Sequence, residues 1–148
     1  MVAKDAQQRW AYIRSIKLFR PYRDAVPWDL FETLPAPVPI EQFEEQVNVA
    51  VENADDYYLR VAKQEEVVVG AYLMRRGAGD AFYLDYLAVI SEHRNRGLGS
   101  WLTGHAIGIA ESKGGRQLRV GDRTLRRFFA RYGFTDDAGE QQFVFIQE

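Results

Sequence analysis

The stretch Ala81–Gly99, with the sequence AFYLDYLAVISEHRNRGLG, decides the fold of this chain. Residues 81–89 are aromatic and aliphatic apart from one aspartate, which predicts a strand. A polar, glycine-bearing segment follows. The apolar residues of Ser100–Lys113 then recur at helical spacing until Gly114 and Gly115 stop the helix, and Gln117–Val120 predicts a short strand. Such a strand–helix–strand unit requires a parallel pair of strands.

The chain before residue 81 predicts two further strands joined by short turns. Tyr57–Ala62 and Val67–Arg75 are rich in β-branched and aromatic residues, with polar turns at 63–66 and 77–80. Three consecutive strands with such short connections form an antiparallel meander.

The remaining segments predict four elements and one irregular region. All five prolines lie in residues 21–39, which disfavours long helices there, although residues 28–34 could form a short helical turn. The predicted elements are a first strand within Tyr12–Phe19, a helix over Ile40–Ala54, a helix over Thr124–Tyr132 and a last strand over Gln142–Ile146. We therefore expect one mixed α/β (α+β) domain that spans residues 1–148.

Composition excludes several classes of function. The chain has 148 residues, no cysteine and only two histidines, so disulfides, thiol nucleophiles and a histidine-rich metal site are not expected. A formal charge of -2 gives no basic excess for nucleic acid. No apolar stretch approaches the ~20 residues that span a bilayer, and the first residues lack the apolar region of a signal peptide. We expect a soluble cytoplasmic protein.

The segment Arg94–Gly99 has the features of a phosphate site. It lies between a predicted strand and a predicted helix, and Gly97 and Gly99 let the backbone approach a ligand closely. The amides of 96–100 would converge at the helix start, where they have no helical acceptor and the helix dipole favours anions. The alternative is a plain glycine turn with two solvated arginines.

Three segments together resemble the GNAT family of N-acetyltransferases. Arg94–Gly99 fits the family motif Arg/Gln-x-x-Gly-x-Gly/Ala, Leu84–Val89 is similar to the family's fourth strand, and Arg127–Phe134 is similar to its Phe-Tyr-x-x-x-Gly-Phe segment. The resemblance covers Tyr57 to the C-terminus. It implies a mostly antiparallel central sheet flanked by helices, in which strands 4 and 5 splay apart.

The resemblance also implies acetyl-coenzyme A as the acetyl donor. The backbone of Leu87, Ala88 and Val89 would contact the pantetheine arm, and the segment 94–100 would hold the pyrophosphate. Asp122 falls at the position of a family asparagine that contacts the arm, although it could instead cap a helix. The residues expected to bind the cofactor are thus Leu87, Ala88, Val89, Arg94, Asn95, Arg96, Gly97, Leu98, Gly99, Ser100, Asp122 and Phe128.

The catalytic residues follow the family pattern less closely. Asp85 and Tyr83 are the candidates for the base, and strand alternation would place both on one face with Leu87 and Val89. The alternative for Asp85 is a salt bridge to a neighbouring arginine. The family tyrosine that commonly protonates the thiolate corresponds to Phe129, which cannot donate a proton. Tyr132, three residues later, could replace it or simply pack.

The function that the resemblance implies is acetyl transfer to a primary amine of a small molecule or a protein. Two alternatives remain open from the residues: a non-catalytic acyl-coenzyme A-binding domain of the same fold, and a nucleotide-binding protein that uses the glycine loop. A homodimer is a further possibility. Aromatic residues that could wall the acceptor site, or belong to the core, are Trp28, Phe31, Tyr57, Tyr58 and Tyr72.

Overall fold

The computed structural model describes residues 2–21 and 40–145. Four helices and seven strands occur in these ranges, and a 3₁₀ turn at Ser91–His93 follows the fourth strand. The elements in chain order are α1 (Val2–Arg14), β1 (Ile16–Phe19), α2 (Ile40–Glu52), β2 (Tyr57–Gln64), β3 (Val67–Arg76), β4 (Ala81–Val89), α3 (Leu98–Ser112), β5 (Gln117–Val120), α4 (Arg126–Tyr132), β6 (Thr135–Asp137) and β7 (Glu140–Val144).

The strands form one sheet in the order β1-β2-β3-β4-β5-β7-β6. Every neighbouring pair is antiparallel except β4 and β5, which are parallel because α3 connects them. The predicted mixed, mostly antiparallel sheet flanked by helices is therefore confirmed.

Strands β4 and β5 separate after a short contact. Their register runs only from Ala81 opposite Gln117 to Tyr83 opposite Arg119, although β4 continues to Val89. Within the part of the chain that the structure describes, residues 84–89 of β4 pair with no strand on the β5 side. The splay that the resemblance implied is present and opens a cleft at this end of the sheet.

Strand β4 carries one residue more than β3 at the level of Asp85. Leu73 lies opposite Tyr86, but the next residue of β3, Met74, lies opposite Leu84. Asp85 is therefore the extra residue of a β-bulge, where the ladder is interrupted and the side chains change their alternation.

The bulge contradicts the predicted alternation along β4. Leu84 belongs to the core cluster that α3 covers, and Leu87 packs against the same cluster although it lies three positions away, whereas Tyr86 belongs to the cluster on the other face. The prediction that Tyr83, Asp85, Leu87 and Val89 share one face of the sheet is therefore wrong. Tyr83 and Asp85 lie on the face that carries Arg75, and Leu87 and Val89 lie on the face that α3 covers.

Two hydrophobic clusters hold the helices to the sheet. The larger one lies on the face covered by α3 and α4, where Leu102, Leu118 and Phe129 are almost fully buried. Each such side chain contributes roughly 1.5–3 kcal/mol by leaving water. The smaller cluster places Val47 and Ala50 of α2 against the opposite face. The cleft between β4 and β5 is thus built on a packed framework.

The N-terminal part differs from its prediction. The strand predicted within Tyr12–Phe19 begins only at Ile16, and the chain before it is helical up to Arg14. Helix α1 ends where the Ser15 amide and hydroxyl both donate to the Tyr12 carbonyl. Tyr12 of the helix and Ile16 of the strand are both buried. Because apolar residues therefore continue across the boundary between the two elements, the sequence predicted one strand. The helical turn predicted for residues 28–34 lies outside the described residues.

The C-terminal part contains a hairpin that was not predicted. Strand β7 begins at Glu140, two residues before its predicted start, and pairs with the short β6. Ala138 and Gly139 join them with φ of 51° and 83°. Positive φ at both positions is the requirement of a type I′ hairpin turn.

Candidate functional site

A cavity of about 700 Å³ occupies the cleft between the splayed ends of β4 and β5. Its walls come from the end of β4, the loop and first turn of α3, the segment that follows β5, and helices α1 and α4. The lining residues are Arg9, Tyr86, Leu87, Ala88, Val89, His93, Arg94, Asn95, Gly97, Leu98, Gly99, Ser100, Asp122, Thr124, Leu125, Phe128 and Arg131. Every residue predicted to bind the cofactor except Arg96 lies in this wall.

The end of β4 forms one wall of the cavity. Residues 87–89 are half-buried, and their β5-side edge has no strand partner among the described residues. An extended ligand could therefore pair with this edge as an added strand would. The Arg94 Nε donates a hydrogen bond to the Val89 carbonyl at 3.2 Å, which ties the following loop to the strand end.

The N-terminus of α3 forms the second wall. Gly97 is its N-cap residue, with φ 89° and ψ 0°, and the Trp101 amide donates to the Gly97 carbonyl at 3.0 Å. The amides of residues 98–100 in the first turn have no intrahelical acceptor, and the helix dipole adds partial positive charge. This geometry suits a phosphate or pyrophosphate group.

The two loop glycines serve different purposes. A Cβ on Gly97 would meet no atom within 4 Å, so this position needs glycine for its left-handed φ. A Cβ on Gly99 would lie 3.3 Å from the Phe128 ring. Gly99 therefore lets Phe128 of α4 close against α3, in addition to any contact with a ligand.

The charges around the cavity are mainly positive. Among the residues that the structure describes, three arginines line it, Arg9, Arg94 and Arg131, beside a single carboxylate, Asp122. The Asp122 carboxylate accepts hydrogen bonds from the Thr124 amide, at 3.0 Å, and from the Thr124 hydroxyl. Asp122 therefore closes a local turn with Thr124. It does not cap α4, because the N-cap residue of that helix is Leu125 and no side chain caps it, so the capping prediction is wrong. The excess of cations favours an anionic ligand.

Arg96 is the one predicted cofactor residue that does not line the cavity. Its guanidinium carbon lies 3.9 Å from the centre of the Tyr12 ring, in a cation–π contact with α1. Arg96 thus links the phosphate-type loop to the N-terminal helix.

Six of the lining residues were not predicted to bind the cofactor: Arg9, Tyr86, His93, Thr124, Leu125 and Arg131. Arg9 was missed because α1 was not predicted. Arg131 carried a usable signal, since it lies three positions after Phe128 on the same helix and shares its face.

Asp85 of β4 and Arg75 of β3 form a half-buried ion pair. The Arg75 Nε donates to Asp85 Oδ2 at 2.8 Å, and the Arg75 guanidinium lies 4.3 Å from the centre of the Tyr83 ring. Burial raises the pKa of the Asp85 carboxyl above its ordinary value, and the Arg75 charge and hydrogen bond act in the opposite direction. The predicted salt-bridge partner of Asp85 is therefore Arg75. Neither Asp85 nor Tyr83 lines the cavity, although Tyr86, the residue next to Asp85, does.

No side chain of α4 brings a hydroxyl to the cavity wall in the described structure. Phe129 is 2% exposed and lies in the core. Tyr132 is half-buried, and its ring packs against Phe134 and Phe143. Tyr86 is the tyrosine of the lining, but its hydroxyl is buried. These positions favour the packing interpretation of Tyr132.

Most of the aromatic residues considered for the acceptor site belong to the core. Tyr58 is 2% exposed and Tyr72 is fully buried, with a 2.7 Å hydrogen bond between the Tyr72 hydroxyl and His105 Nδ1. Tyr57 packs against the smaller cluster. Trp28 and Phe31 lie outside the described residues.

Two further observations concern the described residues alone. Across residues 2–21 and 40–145, no helix is long and apolar enough to cross a membrane. Over the same ranges, no three histidine, aspartate or glutamate side chains are grouped so that they could hold a metal ion.

The glycine-capped start of α3 and the β5-side edge of residues 87–89 thus line one cavity in the described part of the chain. A sequence model described as the acetyltransferase (GNAT) family matches residues 17–134. The chain belongs to this family. No curated protein sequence matches it.

Solved structures of the same family share the fold. A GNAT-family protein from Desulfovibrio desulfuricans superposes with a TM-score of 0.71 at 20% identity, over 87% of this chain and 98% of that chain. A GNAT acetyltransferase from Elizabethkingia anophelis with acetyl-CoA bound gives 0.68 at 18% identity, over 88% and 99%. The PaiA N-acetyltransferase from Thermoplasma acidophilum, in complex with coenzyme A, gives 0.67 at 14% identity, over 88% and 99%.

Proposed function

We propose that this protein is a cytoplasmic N-acetyltransferase that uses acetyl-coenzyme A to acetylate a primary amine. The observation that carries the proposal is the continuity of one cavity from the α3 N-terminus to the free edge of β4. Coenzyme A has a pyrophosphate, which suits the N-terminus of α3, and an extended arm with amide groups, which suits the edge of β4. Coenzyme A or acetyl-CoA in the E. anophelis and T. acidophilum structures supports the same ligand here.

In this proposal each wall binds one part of the coenzyme. The amides at the start of α3, residues 98–100, bind the pyrophosphate, with Arg94 beside them. The pantetheine arm pairs with the backbone of residues 87–89. Phe128 provides an apolar wall on the side of α4.

The chemical step joins the amine nitrogen to the thioester carbonyl carbon, breaks the carbon–sulfur bond and releases the coenzyme thiol. The nitrogen must lose a proton, and Asp85 accepts it through water, because Asp85 lies next to the lining residue Tyr86 but outside the wall. The thiolate takes a proton from solvent, since the tyrosine position of the family is occupied by the buried Phe129.

Charge on α2 supports a cationic amine as the acceptor. This helix packs on the sheet face that carries Arg75 and Asp85, and it exposes Glu41, Glu44 and Glu45. A negative surface near the acceptor entrance raises the local concentration of protonated amines. Both small polyamine-like molecules and lysine side chains fit this description.

The test measures acetyl-CoA binding by calorimetry and thiol release with a panel of primary amines. The proposal predicts binding together with amine-dependent thiol release. Binding without turnover on any amine would instead indicate a non-catalytic acyl-coenzyme A-binding domain. A melting temperature that rises more with ATP than with acetyl-CoA would indicate a nucleotide-binding protein.

A further inference from the structure

Helix α1 lies outside the segment that matches the family, which begins at residue 17. It is nevertheless part of the packed structure. Tyr12 is 6% exposed and belongs to the larger core cluster, and Ile13 packs against that cluster. The position of α1 on the domain is therefore fixed by buried contacts.

Two contacts join α1 to the loop before α3. The Tyr12 hydroxyl and His93 Nδ1 share a hydrogen bond of 2.7 Å. The Arg96 guanidinium stacks on the Tyr12 ring, and its carbon lies 3.9 Å from the ring centre. Tyr12 therefore contacts both end residues of the segment 93–96, and these contacts pack α1 against the loop.

This packing brings Arg9 to the cavity. Arg9 precedes Tyr12 by three residues, so both side chains lie on the same side of the helix, and Arg9 lines the cavity with the loop residues. The motif arginines have other contacts: Arg94 donates to the Val89 carbonyl and Arg96 stacks on Tyr12. Arg9 therefore adds a cation that the family segment itself does not supply.

We propose that α1 is a phosphate-binding element of the coenzyme site, in which Arg9 binds a phosphate group of coenzyme A. The inference rests on the proposed function, because it needs coenzyme A in this cavity. Coenzyme A carries a pyrophosphate and a 3′-phosphate, and guanidinium groups form strong charge-assisted hydrogen bonds with either.

The test is calorimetric titration of the full chain and its variants with coenzyme A. Arg9→Ala should raise the Kd by roughly five- to thirtyfold, where tenfold corresponds to about 1.4 kcal/mol. The salt dependence of binding should also become shallower, because one cation–phosphate contact is lost. Arg9→Lys should recover part of the affinity, since the charge remains while the planar fork is lost.

Arg14→Ala is the matched control, because Arg14 is an exposed arginine of the same helix that does not line the cavity. It should change the Kd by less than about twofold. Titration with dephospho-coenzyme A, which lacks the 3′-phosphate, identifies the phosphate that Arg9 contacts. If Arg9→Ala loses as much affinity for this ligand as for coenzyme A, Arg9 contacts the pyrophosphate. If it loses no affinity for this ligand, Arg9 contacts the 3′-phosphate.

Equal Kd values for Arg9→Ala and Arg14→Ala with both ligands would overturn the role of α1 and leave the proposed function intact. A wild-type chain that binds no coenzyme A would overturn both. Circular dichroism melting of each variant checks that the exposed substitutions leave the fold unchanged.

Discussion

Arg75 donates a 2.8 Å hydrogen bond to Asp85 at the point where β4 carries one residue more than β3. The bulge places this carboxylate next to a residue of the cavity wall and opposite a cation. Burial raises the pKa of Asp85, and Arg75 limits that rise. Asp85 is consequently a stronger base than an ordinary exposed aspartate while it still ionises.

Asp85→Asn should lower kcat by roughly 10²-fold with little change in the affinity for acetyl-CoA, because it removes the proton acceptor and leaves the coenzyme wall intact. The wild-type pH–rate profile should lose activity as the pH falls through the raised pKa of Asp85, and this limb should be absent in the variant. Asp56→Asn is the matched control, since Asp56, in the turn before β2, pairs with Arg76 of β3 at 3.7 Å. Similar kcat values for the two variants would remove Asp85 from the mechanism.

The stability of Asp85→Asn gives a separate check on the pKa shift. A carboxyl whose pKa is raised on folding stabilises the protein below its unfolded pKa, and this contribution is lost as the pH rises through the folded pKa. The ionised wild-type residue therefore lowers stability at neutral pH. We expect the variant to melt at an equal or higher temperature at pH 7, with the difference closing as the pH falls into the carboxyl range.

Arg75→Ala should raise the pKa of Asp85 further, because burial remains and the opposing charge is removed. The acid limb of the pH–rate profile should move to higher pH than in the wild type. The comparison variant is Arg76→Ala, which removes the neighbouring arginine, and its profile should match the wild type. If the acid limb of the pH–rate profile of Arg75→Ala stays at the wild-type pH, a group other than Asp85 controls it.

Gly97→Ala should weaken acetyl-CoA binding by roughly tenfold or more, about 1.4 kcal/mol. The alanine strains the left-handed N-cap by roughly 1–2 kcal/mol and alters the amide geometry at the start of α3. Gly79→Ala is a close control, because Gly79 also has positive φ and open space around its Cβ but lies in the β3–β4 turn. Both variants should lose similar stability in denaturant unfolding, and only Gly97→Ala should lose affinity.

Tyr132→Phe should change kcat by less than about twofold, because the ring packs among phenylalanines and the tyrosine does not line the cavity. Loss of a true general acid would instead cost roughly 10²-fold or more. Burial also raises the pKa of this hydroxyl, which keeps it protonated at neutral pH. A large fall in kcat with unchanged melting temperature would assign the thiolate proton to Tyr132.

Strands β2 to β5 could be predicted because their boundaries carry local signals. The bounds of β4 and β5 were predicted residue for residue, since turn residues and a glycine pair flank them. The bulge could not be predicted, because a single unpaired residue is defined only by the neighbouring strand. Asp85 was therefore identified as a candidate, but its face was assigned incorrectly.

The part of the cavity wall from Leu87 to Ser100 was predictable for a different reason. Its loop, helix start and strand edge are contiguous in sequence, from Leu87 to Ser100, so one motif brings them together. Arg9 reaches the cavity only through tertiary packing, and the exposed residues 6–11 of α1 leave no clear apolar stripe to predict a helix. The hairpin of β6 was missed because its three residues, Thr135–Asp137, are all polar and exposed.

The proposed function requires acetyl-CoA to bind between the N-terminus of α3 and the edge of β4. The most direct measurement is the two-dimensional amide NMR spectrum of the ¹⁵N-labelled chain with and without acetyl-CoA. We predict that the largest shifts fall on residues 87–89 and 97–100, and that ATP at the same concentration moves them less. Unchanged signals at both segments, or larger shifts with ATP than with acetyl-CoA, would contradict the account.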